Sequence, residues 1–186
     1  IYDPDFLSLP VPFGKPVLED YHDPVAMEID DETIVHLGWQ GLKGVLGEYH
    51  QKRFSTSIIA GGDITIIKER MAIASTKGID DFDESTILTA NITSMIEREN
   101  VKGSGWNTST HLSLFRPEDA GRESAESAIK TIGGERISSG TYDVVFGRQP
   151  VADLCANILI PALSLSAVNA SDTPFLGKLG QKVASE

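Results

Sequence analysis

The sequence predicts an α+β fold in which an antiparallel sheet is packed with helices, followed by the start of a second domain. Apolar residues recur at helical spacing in two stretches, 30–52 and 116–132, whereas the residues between them alternate between apolar and polar side chains. Short turn-forming sequences separate the alternating runs, as is typical of neighbouring antiparallel strands. With 186 residues, 40% of them hydrophobic, the chain is long enough to bury a core.

The first predicted helix covers Asp30 to Lys52. Asp30 or Asp31 can cap its amino terminus, where acidic side chains also suit the positive end of the helix dipole. Glycines at every third position from 38 to 47 are poor helix formers, and their spacing only partly supports a close-packed edge. The large apolar side chains recur on one face, which we expect to be buried: Val35, Trp39, Leu42, Val45, Leu46 and Tyr49.

The region 56–115 is predicted to form three or four strands. Gly61 and Gly62 interrupt a run rich in Ile and Thr and predict a bulge or turn, followed by a tight turn at 76–78 and a loop at 79–85. Residues 101–115 are expected to continue the sheet. Between them, residues 85–99 alternate with period two and predict one mainly apolar face, formed by Leu88, Ala90, Ile92, Ser94 and Ile96.

The second predicted helix covers Arg116 to Ile132, with Pro117 at its first position and Gly133 after its end. We expect the domain boundary soon after it, giving an N-terminal α+β domain over residues 1–137 and the start of a C-terminal domain over 138–186. Residues 1–16, rich in proline, are expected to form an extended surface arm.

A charge-free stretch dominates the second domain. A short strand is predicted at 141–147, followed by a helix over about 150–168 that we expect to be buried or to lie at an interface. Residues 154–168 carry no charged side chain, but the run is too short, and too interrupted by polar residues and Pro161, to predict a membrane span.

Charge and cysteine content restrict the function classes. The formal net charge of −11 and the pI near 4.7 argue against a nucleic-acid-binding surface, which needs lysine and arginine on phosphates. Cys155 is the single cysteine, so no internal disulfide can form, and a cytoplasmic location is expected. The residues from Ile1 onward do not follow the pattern of a signal peptide, and they are expected to be internal to a longer chain.

No residue cluster predicts chemistry. His22, His36, His50 and His111 are scattered, and the two on the first helix would lie about 21 Å apart along its axis. The acidic stretch 80–84 lacks the glycine and the distal glutamate of a calcium loop, and Cys155 lies in the apolar helix as a buried thiol would. From the residues alone we predict no catalytic residue, no cofactor-binding residue and no metal ligand.

Four stretches in this order resemble the TldD/PmbA family, whose members have been labelled modulators of DNA gyrase. They are "GGDITIIKERMAIASTKG" (61–78), "ESTILTANITSMIERENVKGSGW" (84–106), "YDVVFGRQPVADL" (142–154) and "PFLGKLGQKVAS" (174–185). The resemblance implies an N-terminal α+β domain followed by the start of a peptidase-like C-terminal domain.

The resemblance also implies a missing zinc site. TldD-type members carry HExxxH on the helix that follows the "YDVVF" stretch, but an ungapped match places Ile158, Leu159 and Leu163 at the three motif positions. None of these side chains can ligate a metal or transfer a proton. The chain is therefore similar to the PmbA (TldE-like) branch, and the resemblance implies a non-catalytic subunit of a peptide-processing zinc metallopeptidase complex.

The implied partners are a second copy of the chain, or a zinc-bearing TldD-type subunit in a heterodimer, with a peptide as substrate. Two alternatives remain open at this point. The chain could be a structural or self-assembling module unrelated to proteolysis, or a hydrolase whose site lies outside this segment.

Overall fold

The computed structural model describes residues 8–12, 14, 20–52 and 57–184. The chain divides into two compact units, Ile1–Glu135 and Arg136–Glu186. The boundary predicted after residue 137 stays a prediction. Much of the arm predicted at 1–16, including residues 1–7, lies outside the described residues.

The N-terminal unit has the α+β architecture predicted from the sequence, with helices packed on one face of a three-stranded antiparallel sheet in the order β1-β2-β3. Its elements are α1 (Pro24–Met27), α2 (Asp31–Gln51), β1 (Ile58–Ala74), β2 (Asp80–Ile96), β3 (Val101–Ser109) and α3 (Pro117–Lys130).

Helix α2 begins as predicted, because the Asp30 carboxylate accepts a hydrogen bond from the Thr33 amide. The predicted buried face is only partly correct. Val35, Trp39 and Leu46 are 60%, 59% and 47% exposed. The buried positions are instead Leu37, Gly41, Gly44, Val45 and Tyr49. The helix lies mainly against α3, and glycines are needed at that contact, so the helix is rotated away from the face that the large side chains suggest.

Strands β1 and β2 form one continuous antiparallel hairpin of two 17-residue strands. Two sequence predictions are wrong here. Gly61 and Gly62 do not interrupt the ladder, and a Cβ on Gly62 would overlap the Asn91 carbonyl oxygen of β2. The predicted loop at 79–85 is mostly strand, because Asp80 to Ser85 pair with the end of β1 and their acidic side chains point to solvent or to partners.

The alternation predicted for β2 is confirmed. Its five predicted inward residues, from Leu88 to Ile96 at every second position, are all buried beneath the helices. Strand β3 pairs with residues 88–96 and ends at Ser109 rather than continuing to residue 115. Helix α3 crosses β3 at Gly103 and Gly105, where added Cβ atoms would overlap the backbone of the helix.

A short segment at residues 20–23 closes the end of the sheet beyond β3. The Thr86 amide donates to the Tyr21 carbonyl (3.0 Å), and the Tyr21 hydroxyl donates to Asp83 (2.8 Å). The Asp23 side chain is 6% exposed and accepts hydrogen bonds from the amides of Val25 (2.9 Å) and Leu112 (2.7 Å). The segment is therefore fixed by backbone and side-chain bonds to the sheet.

The C-terminal unit is formed by short helices: α4 (Arg148–Leu154), a π-helical turn (Cys155–Leu159), α5 (Ile160–Ala162) and α6 (Leu165–Asn169). The strand predicted at 141–147 is not formed, and these residues pair with none of the three strands of the described sheet. The predicted long helix is also interrupted. Pro161 cannot donate an amide hydrogen bond, and the turn before it widens so that Ile160 N–H donates to Cys155 O.

The expectation that this helical stretch is buried is wrong for the unit as described, since no residue between 136 and 184 is buried. The alternative, that the stretch lies at an interface, stays a prediction. Within the part of the chain that the structure describes, no helix combines the length and apolar character needed to cross a membrane.

Candidate functional site

The three positions aligned with the zinc motif lie on or next to the interrupted helix of the C-terminal unit. Ile158 and Leu159 belong to its π-helical turn and Leu163 follows α5; their side chains are 62%, 44% and 57% exposed. The Cys155 thiol, expected to be buried, is partly exposed. The stretch therefore presents branched hydrocarbon side chains to its surroundings, and these can pack but cannot bind a cation.

An apolar cleft of about 450 Å³ lies beside this stretch within the same unit. Leu163 contributes to one wall, and Phe175 and Leu179 contribute to another. The Thr173 hydroxyl donates to the Ala162 carbonyl (2.6 Å) and so fixes the loop against the end of α5. The cleft lining is dominated by aliphatic and aromatic surface, which suits an apolar side chain of a partner or a ligand.

The structure does not bring the histidines together. His36 and His50 are exposed on α2, His111 Nδ1 lies 3.0 Å from the Thr110 hydroxyl, and His22 Nε2 lies 3.6 Å from Glu84. Among the described residues no group of three His, Cys, Asp or Glu side chains is close enough to hold a metal ion.

The acidic stretch 80–84 lies at the far end of the hairpin. Asp83 accepts the hydrogen bond from Tyr21, and Glu84 accepts one from Arg70 (2.7 Å) while lying near His22. The carboxylates at 83 and 84 thus contact cationic or hydroxyl side chains of neighbouring elements. Their role is to fix the ends of the hairpin and of the 20–23 segment.

A second site, which the sequence did not predict, is an open groove of about 430 Å³ between α2 and β1. We name it the β1 groove. Ile92 forms part of its floor and Asp63 lies on its rim. Its walls are the α2 residues Ile34, Val35, Gly38, Trp39 and Leu42 and the β1 residues Ala60, Gly61, Gly62 and Ile64. Val35, Trp39 and Leu42, three of the six large side chains that were expected to be buried, line this groove together with Gly61 and Gly62.

Comparisons with known proteins show what the two parts of the chain are similar to. Residues 139–186 match the sequence model of the PmbA/TldA metallopeptidase C-terminal domain. None of the curated proteins matches the chain.

Two solved structures are similar across 93% of this chain. One, from Thermotoga maritima, is named as a candidate modulator of a DNA gyrase and shares 20% identity at a TM-score of 0.74. The other, from Bacteroides thetaiotaomicron, carries the corresponding name and shares 19% identity at a TM-score of 0.70. This chain spans 39% of the length of each of them. The family resemblance predicted from the sequence is therefore confirmed: residues 139–186 are similar to the C-terminal domain of the PmbA/TldA metallopeptidases, and the chain shares the fold of two solved structures named as modulators of DNA gyrase.

Proposed function

We propose that this chain belongs to a non-catalytic subunit of a peptide-processing zinc metallopeptidase complex. The observation that carries the proposal is the apolar identity of Ile158, Leu159 and Leu163, which an ungapped match places at the HExxxH positions of the family's catalytic members. A site rebuilt from branched hydrocarbon side chains supplies neither a zinc ligand nor a general base. Proton transfer and metal binding would then belong to a partner subunit.

The exposed apolar surface of the C-terminal unit supports a packing role. Around the motif positions, Ile158, Ile160 and Leu165 are 62%, 64% and 73% exposed. Apolar surface of this extent is typical of a face that packs against further protein, whether the rest of the C-terminal domain or a partner subunit. The proposed partner is a zinc-bearing TldD-type subunit in a heterodimer, with a second copy of this chain as the alternative.

The proposed substrate is a peptide and the proposed location is the cytoplasm. The formal net charge of −11 opposes binding to nucleic-acid phosphates, so the gyrase name of the two solved relatives does not lead us to propose DNA contact here.

The test uses the full-length protein, alone and mixed with a purified HExxxH-bearing family member from the same host. Zinc content is measured by mass spectrometry, and peptidase activity is measured on a fluorogenic peptide library. We expect no stoichiometric zinc and no hydrolysis by the protein alone, and at least a tenfold rise in the partner's activity on mixing. Zinc bound at one equivalent by the isolated protein, or chelator-resistant hydrolysis by it, would contradict the proposal.

A further inference from the structure

We propose that the β1 groove binds an extended polypeptide segment as a fourth strand on the outer edge of β1, with two large apolar side chains of the segment inserted between α2 and β1. The inference deepens the proposed function, on which its biological role rests, because the bound segment would be the peptide that the complex processes.

The backbone of β1 provides the first part of this site. β1 pairs with β2 on one side over its whole length, and no strand among the described residues pairs with its other side. Every second residue of such an edge presents an amide and a carbonyl outward, which is the template for adding a strand. Within the groove this edge is formed by Ala60 to Ile64.

The side chains provide the second part. Trp39 and Val35 of α2 are each about three-fifths exposed, and they line the groove together with Gly61 and Gly62 of β1. A volume of about 430 Å³ can hold two large aliphatic or aromatic side chains but not a packed helix. Alternate residues of a strand point to the same face, so residues i and i+2 of the bound segment would enter the groove together.

Charge selects among polypeptide segments. Asp63 lies at the rim, the chain as a whole carries −11, and the cationic Lys68 of β1 already donates to the Ile29 carbonyl (3.0 Å). A segment with lysine or arginine flanking the two apolar residues would therefore associate faster than an acidic one. The same charge makes a second copy of this chain a less suitable occupant, since the two copies repel each other.

The experiment titrates the protein with the blocked peptide Lys-Thr-Leu-Thr-Leu-Thr-Lys and follows the blue shift of Trp39 emission in a Trp106→Phe background, together with calorimetric heat. Two further peptides carry N-methyl groups, one on both leucines and the other on the two outer threonines. Because adjacent residues of a strand donate to opposite edges, we expect one methylated peptide to bind like the parent and the other to lose binding. Equal binding by all three peptides would overturn strand addition.

Two variants locate the site. Gly38→Leu fills the groove, and Gly47→Leu is its matched control on the same helix, since both glycines have open space around the position of a Cβ but only Gly38 lines the groove. We expect Gly38→Leu to weaken binding by about tenfold or more, and Gly47→Leu to change it by less than about twofold.

Two further results would each contradict the proposed binding of a peptide in the β1 groove. No binding of the parent peptide at millimolar concentration overturns the inference, while the partner-dependent activity test of the proposed function is unaffected. If the protein alone is a dimer that Gly38→Leu dissociates, the occupant is a second copy and the peptide assignment is wrong.

Discussion

Gly121 of α3 lies directly against Gly41 of α2, so closely that a methyl group on Gly121 would overlap the Gly41 carbonyl oxygen. One helical turn along, a Cβ on Gly44 would overlap the Glu118 carbonyl oxygen of α3. The two helix backbones therefore touch without intervening side chains. This contact fixes the rotation of α2, and the rotation in turn leaves Trp39 and Val35 over the β1 groove.

The first prediction compares two glycines of α2. Gly44→Ala should destabilise the N-terminal unit by about 1–3 kcal/mol, because the added methyl group forces the α2 and α3 backbones apart. Gly47→Ala has open space and should instead stabilise the helix by up to about 1 kcal/mol. Urea unfolding followed by circular dichroism measures both. Equal effects of the two substitutions would mean that the helices do not touch at Gly44.

The same contact explains what could be predicted about α2 from the sequence. The limits of the helix were predictable because Asp30 caps it and the apolar spacing is local information. The buried face was not, because the position of α3, about 75 residues later in the chain, decides which side of α2 turns inward. Helix α2 carries one stripe of small residues and one of large residues. The stripe of small residues is the one that is buried, because it allows the close backbone contact with α3.

In the sheet and in the C-terminal unit as well, features that depend on distant residues could not be predicted from the local sequence. The alternation of apolar and polar residues in β2 could be predicted because one face of the strand is buried. The mainly acidic stretch 80–85 could not be predicted as a strand, because its strand conformation depends on pairing with β1, which composition does not reveal. The pattern at 141–147 favours a strand, but the segment is irregular and pairs with none of the strands of the described sheet. The β1 groove was unpredictable for a related reason, since it joins glycines and apolar residues of two distant elements.

The second prediction concerns the buried hydroxyls of Ser94 and Ser124, which are 2.7 Å apart between β2 and α3. Ser124 donates its hydrogen to the Gly121 carbonyl (2.8 Å), so Ser94 must donate to Ser124. Ser124→Ala should cost about 1–3 kcal/mol because it leaves the buried Ser94 hydroxyl without an acceptor, whereas Ser94→Ala should cost about 1 kcal/mol.

A double-mutant cycle measures the coupling energy between the two hydroxyls separately from the other contacts of each serine. The double Ser94→Ala/Ser124→Ala variant should be less destabilised than the sum of the single variants, because no hydroxyl is then left unpaired. Free energies of unfolding from denaturant titration give the coupling. Strict additivity would show that the two hydroxyls do not depend on each other.

The third prediction concerns the pH dependence of stability through Asp23. Burial alone would raise the pKa of this carboxyl, but the hydrogen bonds from the Leu112 and Val25 amides, helped by the nearby His111, lower it below the usual 3.8. The stabilisation from the ionised carboxylate is therefore complete well above pH 3.8. It is lost as the pH falls from about that value through the folded-state pKa.

Asp23→Asn tests this dependence. An asparagine side chain offers one carbonyl oxygen where two amides now donate to two carboxylate oxygens, so we expect a loss of about 1–3 kcal/mol at pH 7. The loss should be constant at neutral pH and should shrink as the pH falls through 3.8 towards the folded-state pKa, because protonation of the carboxyl then favours the unfolded wild type. Thermal melts at several pH values give the comparison, and a loss that stays constant down to pH 3 would exclude the assigned role of the carboxylate.

The fourth prediction concerns Leu159, whose side chain is 44% exposed on the π-helical turn. The substitution Leu159→Asp separates an effect on folding from an effect on assembly. A half-exposed position tolerates a carboxylate in the isolated unit, but an interface that buries it without a partner would lose about 2 kcal/mol or more of binding free energy. We therefore expect an unchanged circular dichroism spectrum, and weaker assembly with the proposed TldD-type partner by sedimentation velocity. Leu159→Ala, which keeps an apolar surface, is the matched control and should assemble with an affinity between those of the wild type and Leu159→Asp. Assembly of Leu159→Asp at wild-type affinity would show that this helix faces solvent in the complex, and the packing role proposed for the rebuilt motif positions would then be wrong.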